Sequence, residues 1–340
     1  NNFSPLQLFF ASTTSRFYVM PAKFFIPDPD LQTTLEDILE ETWDAFPQLA
    51  QNQISLTWIT YEPPYQVNTG GALSAEDFWK YQPAGASYRG VELVDPDSLV
   101  QLFYLVAMHV WLEQGMAQTS PEIVRAMTDM VVEGSNDATS FIVDVLSGTT
   151  SGPIIPAGPF ETWQSQRNIV NRYFQQLGWP ELRAINLNQK TWSDRPYGRE
   201  REFLGKTFEN HNRLTTEAVA RLLHSIVGGV SVSSGRSQTM MALLQSVRSE
   251  REHLETGRTH GSSPSQAVDV GLPPTAKQWS KNSDSRHRLR SMTYVEAEGI
   301  HPYQLVAFIE GNADTPQADI LQLVSQRIFQ AAFGRAGCVA

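Results

Sequence analysis

The chain has 340 residues, of which 41% are hydrophobic and 18% charged, and its formal net charge is −10. This length and composition predict a folded globular protein with a large apolar core, built as one domain or as two interleaved lobes. The negative charge argues against a broad nucleic-acid-binding surface, and no apolar run approaches the roughly 20 residues that span a bilayer.

The first third of the chain predicts an arm, a helix and two strands. Residues 1–30 are aromatic-rich and end in the turn sequence FIPDPD, so we expect an irregular arm packed on the body. Residues 31–45 carry leucine, isoleucine and tryptophan at helical spacing with acids on the other face, which predicts an amphipathic helix. The β-branched and aromatic residues of 54–62 predict a strand, and a short strand is expected around 88–93.

The middle of the chain predicts a group of helices. Residues 98–114 are apolar on almost every side, which is typical of a helix in the centre of a domain, and His109 within it is expected to be a hydrogen-bonded core residue. Pro121 begins a second helix that runs to about residue 132, and SNDATSFIVDVLSG predicts a third that ends at Gly148. A loop-rich stretch with helices near 161–177 follows.

The last third predicts further helices and the remaining strands. NRLTTEAVARLLHSIVGG has the start and stop residues of a helix, residues 240–247 are also helical, and 319–332 predict a terminal helix. MTYVEAE and YQLVAFIEG predict two antiparallel strands. The two ends of the chain therefore build one mixed sheet, and the middle forms a helical lobe.

Several kinds of site are excluded by motifs that the sequence lacks. The single cysteine, Cys338, cannot form an intramolecular disulfide, and no His or Cys spacing typical of zinc occurs. No glycine-rich phosphate-binding motif opens a helix, so we expect no cofactor. The basic run at residues 286–290 is expected to be solvated surface. The opening residues lack a basic segment before their apolar patch and are not interpreted as an intact signal peptide, so the compartment stays open between periplasm and cytoplasm.

The order of elements and four short motifs resemble the class A β-lactamases and penicillin-binding transpeptidases, in particular cyanobacterial-type members. The motifs are LFYLVA, SNDATS, NRLTTEA and WSK, in that order. The resemblance implies an α/β (α+β) two-lobe fold, in which a mixed antiparallel sheet meets a helical lobe. It divides the chain into an N-terminal arm (1–30) and a β-lactamase-like domain (31–340), with a sheet lobe (31–97 and 216–340) and a helical lobe (98–215).

The resemblance places the family's S-x-x-K motif at Ser98-Leu99-Val100-Gln101. Ser98 is then the candidate nucleophile, and Gln101 stands where the family has a lysine. A serine hydroxyl needs an adjacent base, and an amide side chain cannot take its proton. Asp97 adds negative charge beside Ser98. The residues alone leave a second interpretation open, in which Ser98 only caps the helix that follows.

The family's S-x-N motif has two possible registers in Gly134-Ser135-Asn136-Asp137. We favour Asn136 as the asparagine, which puts Gly134 in place of the family's proton-relaying serine, because the apolar residues that follow then align with the family's helix. The other register puts Ser135 at the serine and Asp137 at the asparagine. Asn136 and Asp137 are alternatively only loop and cap residues. The pattern is incomplete in both registers.

The family's K-[ST]-G motif resembles Lys281-Asn282-Ser283. Lys281 suits a substrate carboxylate, or else it is a solvated residue at a strand edge. Asn282 and Ser283 replace the hydroxyl–glycine pair, and we expect Ser283 to crowd the cleft, because glycine allows a ligand to approach the strand. Glu200 and Glu202 are the nearest candidates for the family's water-activating glutamate.

The sequence therefore predicts a β-lactamase-like serine hydrolase homologue with degenerate motifs, little or no β-lactam hydrolysis and a binding or structural role. The alternative is an active hydrolase or amidase that transfers acyl groups through Ser98, with Lys281 or a carboxylate of YGRERE as its base. The expected ligand is a small amide, a β-lactam-like compound or a peptide. Nucleic acid is not expected as a partner, and the oligomeric state stays open.

Overall fold

The computed structural model of the protein describes residues 23–62, 73–192, 194–254, 272–273, 275–285, 287–312 and 314–336. Its centre is a six-stranded mixed sheet with the order β1-β3-β2-β6-β5-β4. Only β1 and β3 pair in parallel; the other neighbours are antiparallel. The strands are β1 (Ile26–Pro27), β2 (Ile54–Thr60), β3 (Ala84–Tyr88), β4 (Lys277–Ser285), β5 (Arg288–Glu296) and β6 (Tyr303–Glu310).

Helices cover both faces of the sheet and form the lobe beside it. They are α1 (Pro29–Ala45), α2 (Ala75–Trp79), α3 (Val100–Glu113), α4 (Pro121–Val131), α5 (Asn136–Ser147), α6 (Ala157–Arg167), α7 (Ile169–Gln176), α8 (Gly198–Leu204), α9 (Thr216–Val227), α10 (Ser234–Leu254) and α11 (Gln317–Ala336). Of the helices in the described ranges, none has the length and apolarity needed to span a bilayer. The α/β fold class predicted from the sequence is confirmed.

Two apolar cores lie on opposite faces of the sheet. On one face, α1 and α11 pack against β2 and β6 through side chains such as Leu35 and Ile320. On the other face, α3 and α9 form the larger core together with the rest of the helical lobe. Every residue of α3 from Val100 to Trp111 is buried, so the predicted central helix is confirmed. Because α3 is packed on all sides, the turn before it is held firmly in the molecule.

Some elements differ from the sequence prediction. The strand expected around 88–93 lies earlier, at β3, because Arg89 has a φ of 51° and turns the chain away. The helices expected near 161–177 are present as α6 and α7, which meet at Asn168, whose side chain donates to the Gln164 carbonyl oxygen at 3.1 Å. The short helices α2 and α8 were not predicted.

The expected arm lies mainly outside the described residues, because the description begins at residue 23. Its last part is ordered against the body: Phe24 and Phe25 are buried, and the Phe24 N–H donates to the Glu181 carboxylate at 3.3 Å. The division into an arm and two lobes with the boundaries given above stays a prediction.

Candidate active site

Ser98 lies in a single 3₁₀ turn, Asp97–Leu99, that leads into α3. Asp97 has a φ of 47°, in the left-handed region that an L-residue rarely adopts. The Ser98 N–H donates to the Ser283 hydroxyl at 3.3 Å, whereas in the described ranges the Ser98 hydroxyl itself has no protein hydrogen-bond partner. The helix-cap interpretation of Ser98 is wrong, because Leu99 is the N-cap residue of α3 and no side chain caps it.

Gln101, which the sequence resemblance places at the family's lysine, is fully buried and faces α5. Its Nε2 donates to the Thr139 hydroxyl at 2.7 Å, and that hydroxyl donates in turn to the Ser135 carbonyl oxygen at 2.7 Å. Its Oε1 is also buried and has no hydrogen-bond partner among the described residues. The chain of hydrogen bonds ties α3 to the start of α5 and contains no group that titrates near neutral pH.

The segment Gly134–Asn136 forms the entry to α5. The Ser135 hydroxyl caps the helix by accepting from the Ala138 N–H at 3.2 Å, and Asn136 is the first residue of the helix. Gly134 has a φ of 66°, and a Cβ there would meet no atom within 4 Å. Backbone conformation, rather than crowding, therefore explains the glycine. The cap role predicted as an alternative for Asn136 and Asp137 is wrong, because Ser135 is the N-cap residue and both lie in the first turn of the helix.

Lys281 is buried on β4, so its interpretation as a solvated edge residue is wrong. Its Nζ donates to the Val131 carbonyl oxygen at 3.0 Å and to the Met130 carbonyl oxygen at 3.4 Å. These carbonyls end α4, where the helix dipole favours a cation. Lys281 thus joins the sheet to the helical lobe next to the candidate cleft.

Asn282 and Ser283 point to opposite faces of β4, because side chains alternate along a strand. Ser283 shares the face of Lys281 and reaches the Ser98 N–H, which agrees with the expected crowding of the cleft. Both amide atoms of Asn282 are buried and lack a hydrogen-bond partner among the described residues. Among the described residues, Asn282 therefore makes no hydrogen bond with Ser98.

Glu200 belongs to a buried ion-pair network. Its Oε1 is 2.7 Å from Arg167 Nη2, its Oε2 accepts from Nη1 at 3.1 Å, and the Ser151 hydroxyl donates to Oε1 at 2.9 Å. Lys190 Nζ lies 3.8 Å from the same oxygen and 2.8 Å from Asp144 Oδ2. Burial raises the pKa of the Asp144 carboxyl, against the lowering effect of Lys190.

Glu202, the second candidate, is exposed on α8. Neither glutamate hydrogen-bonds to Ser98 in the described part of the chain. In the same ranges, no cluster of three or more His, Cys, Asp or Glu side chains is placed to bind a metal ion.

A charged cluster beside Ser98 was missed by the sequence interpretation. The Asp97 carboxylate accepts from the Ser285 hydroxyl at 3.0 Å and lies 3.3 Å from Arg288 Nη2, and Arg288 also pairs with Asp95. Burial, followed by the Asp95 charge, raises the pKa of Asp97, and Arg288 partly opposes this. Arg288 therefore compensates the negative charge that was expected to act on Ser98.

The basic run of residues 286–290 is correspondingly not plain solvated surface. Arg290 is fully buried, its Nε donates to the Asp95 carbonyl oxygen at 2.7 Å, and its Nη2 donates to Glu310 Oε1 at 2.8 Å. Arg286 lies outside the described residues. The alternation Arg288-Leu289-Arg290 and the DPD sequence before Ser98 were the only signals for this cluster, and neither indicated pairing between them.

Helices cover both faces of the sheet, and a turn that contains a serine leads into a buried helix beside the edge strand. This is the architecture of the serine β-lactamases and transpeptidases. The sequence model of the β-lactamase enzyme family matches residues 118–332, more than half of the chain. The protein therefore belongs to the β-lactamase enzyme family. No curated protein matches the chain.

Solved structures show the same fold at low sequence identity. A point mutant of PBP-A, in an acyl-enzyme complex with penicillin G, is 15% identical, with 90% of this chain and 97% of that chain covered and a TM-score of 0.57. A β-lactamase from Sphaerobacter thermophilus is 13% identical over 87% of this chain and 97% of its own, with a TM-score of 0.57. A mutant of the last common ancestor of Gram-negative bacteria class A β-lactamase is 13% identical over 87% and 98%, with a TM-score of 0.53.

Proposed function

We propose that this protein is a divergent member of the β-lactamase family that has lost efficient β-lactam hydrolysis and uses its cleft for binding or as a structural element. One observation carries the proposal. The side chain at the position of the family's lysine, Gln101, is buried and bonded to Thr139, and no titratable side chain in the described chain hydrogen-bonds to the Ser98 hydroxyl.

The chemistry of acyl transfer gives this observation its weight. A serine hydroxyl must lose its proton as it attacks a carbonyl, and a positioned base typically contributes 10²–10⁴-fold to the rate. The dipole at the start of α3 favours an anion by only about 0.5–1 kcal/mol, which is less than a base contributes. Gly134, which carries no hydroxyl, further supports the proposal in the register that we favour.

The competing function is an active hydrolase or amidase with a different base. Lys281 would have to give up its bonds to the α4 carbonyls, and Glu200 would have to leave Arg167. Glu202 is exposed and makes no described contact with Ser98. These contacts favour the degenerate site over the rewired enzyme.

The ligand proposed for the cleft is a small amide, a β-lactam-like compound or a peptide. The β-lactam part is supported by the fold's similarity to a mutant of PBP-A whose structure is an acyl-enzyme complex with penicillin G. In the same proposal, residues 1–30 form an arm on the two-lobe domain. Self-association through the arm would appear as a dimer mass in light scattering, and a monomeric mass would exclude it.

Covalent labelling of Ser98 tests the proposal. The intact protein is incubated with a fluorescent penicillin and, separately, with a fluorophosphonate, and the peptide that contains Ser98 is analysed for a mass shift. We expect no stoichiometric adduct in the wild-type protein, as in Ser98→Ala. Stoichiometric labelling that disappears in Ser98→Ala would overturn the degenerate-site proposal and establish the rewired hydrolase.

A further inference from the structure

The backbone N–H of Ser98 lies where acyl transfer to a serine concentrates negative charge. In such reactions the carbonyl oxygen becomes an oxyanion, and backbone N–H groups, including that of the nucleophile itself, stabilise it. Here the Ser98 N–H already donates to the Ser283 hydroxyl, at 3.3 Å. The two residues are 185 positions apart in the chain, so this contact exists only in the folded protein.

The surroundings of Ser283 hold its hydroxyl in that place. Ser283 is paired within the β4–β5 ladder opposite Arg290, so its backbone is fixed by the sheet. Two further residues on the same face of β4 are anchored as well. Lys281 binds the end of α4, and Ser285 donates to the Asp97 carboxylate at 3.0 Å. Three alternate side chains of β4 thus bind the turn and helix that border the cleft.

We propose that Ser283 is a specificity-determining residue whose hydroxyl occupies the oxyanion position at the Ser98 N–H, and so keeps a ligand's carbonyl oxygen or a tetrahedral anion out of that position. This inference rests on the proposed function, since it takes Ser98 as the point of acyl attack. The occupied position is a second obstacle to acyl transfer, independent of the missing base. The 3.3 Å contact is longer than the 2.7–3.1 Å at which an oxyanion is best stabilised, so an anion would bind the freed N–H more strongly than Ser283 does.

Phenylboronic acid is a suitable probe, because it forms a tetrahedral anion on a serine without a leaving group. The Ser98 oxygen donates an electron pair to boron, its proton passes to the buffer, and boron keeps its phenyl group and both hydroxyls. One of these hydroxyl oxygens then needs the position at the Ser98 N–H. Apart from the serine O–H bond, whose proton the buffer accepts, no bond breaks, so binding reports the oxyanion position separately from turnover.

Glycine at position 283 is expected to open the site. Since hydrogen bonds to charged groups are the stronger class, the dissociation constant of phenylboronic acid should fall about tenfold or more in Ser283→Gly. The matched control is Ser280→Gly, the same chemical change on the opposite face of β4, which should leave the constant unchanged. Adding Ser98→Ala to Ser283→Gly should abolish the gain.

Hydrogen exchange of the Ser98 N–H supplies a second readout that needs no ligand. In protein labelled with ¹⁵N-serine, this amide should exchange faster in Ser283→Gly and Ser283→Ala, and Ser283→Thr, which keeps a hydroxyl, should restore slow exchange. Should Ser283→Gly fail to fold, Ser283→Ala still decides by this measurement. Unchanged exchange together with an unchanged boronate constant would overturn the inference.

The failure of this inference is distinguishable from that of the proposed function. Stoichiometric fluorophosphonate labelling of wild-type Ser98 would refute the degenerate site. If wild-type Ser98 is not labelled by the fluorophosphonate, and the dissociation constant of phenylboronic acid is the same in the wild type and in Ser283→Gly, only the inference about the oxyanion position would be refuted.

Discussion

The Nε2 of Gln101 donates a hydrogen bond to the Thr139 hydroxyl at 2.7 Å, and both side chains are fully buried between α3 and α5. The bond gives the amide a structural role at the position that the sequence resemblance assigns to the family's lysine. Because Thr139 also donates to the Ser135 carbonyl oxygen, its hydroxyl uses both its donor and an acceptor site. The pair therefore stabilises the interface that borders the cleft.

Replacing Thr139 with valine should destabilise the protein by about 1–3 kcal/mol, because the Gln101 amide would be left buried without its acceptor. Thr128→Val is the matched control, since the Thr128 hydroxyl bonds only within its own helix at an exposed site. Urea unfolding measures both variants. Equal losses in the two would show that the bond between α3 and α5 contributes nothing specific.

Gln101→Lys alone should not create nitrocefin hydrolysis. A lysine there would supply an amine, but Gly134 still lacks a hydroxyl, and Ser283 still occupies the Ser98 N–H. The rate is compared with that of Gln101→Lys combined with Ser98→Ala, which defines the background. Turnover clearly above this background would show that the changes at Gly134 and Ser283 matter little.

Glu200→Gln should destabilise the protein by about 3–5 kcal/mol, because Arg167 and Lys190 would lose a buried counter-charge. Glu202→Gln, on the exposed side of the same helix, should change the free energy of unfolding by less than about 0.5 kcal/mol. Thermal or urea unfolding of the two variants tests the structural role of Glu200. Similar free energies of unfolding for the two variants would show that Glu200 is not needed for stability.

Two buried histidines should make the protein sensitive to mild acid. Burial, followed by the charge of Arg221, lowers the pKa of His224 to about 3, and burial lowers that of His109 to about 4. Below about pH 6.5 these histidines become protonated in the unfolded chain but stay neutral in the folded protein. The contribution of each histidine to the free energy of unfolding is therefore fully present above about pH 6.5 and decreases as the pH falls towards the folded-state pKa. Between pH 6.5 and 5 the loss should be about 2 kcal/mol for each histidine.

His109→Gln isolates one half of this effect. Neither ring nitrogen of His109 has a hydrogen-bond partner in the described ranges, so the expectation of a hydrogen-bonded core residue was wrong. The variant should lose about half of the pH dependence of the urea midpoint between pH 7 and 5. An unchanged dependence would assign the acid sensitivity to other groups.

Much of the fold was predictable because its signals are local. The unbroken apolar sequence of α3 predicted a helix packed on every side, and the β-branched and aromatic residues of β5 and β6 predicted strands. The helix α8 was missed, since it is short and polar. Local patterns do not report such features.

The sequence by itself determined the types of the main elements and the absence of a lysine at position 101. It could not determine which distant groups these residues meet. The tertiary structure decided that Gln101 bonds to Thr139 and that Ser283 accepts from the Ser98 N–H. It also decided that Glu200 forms an ion pair with Arg167. The reason is physical: spacing along the chain governs contacts within one helix or strand, whereas a hydrogen bond across 185 residues depends on how whole elements pack.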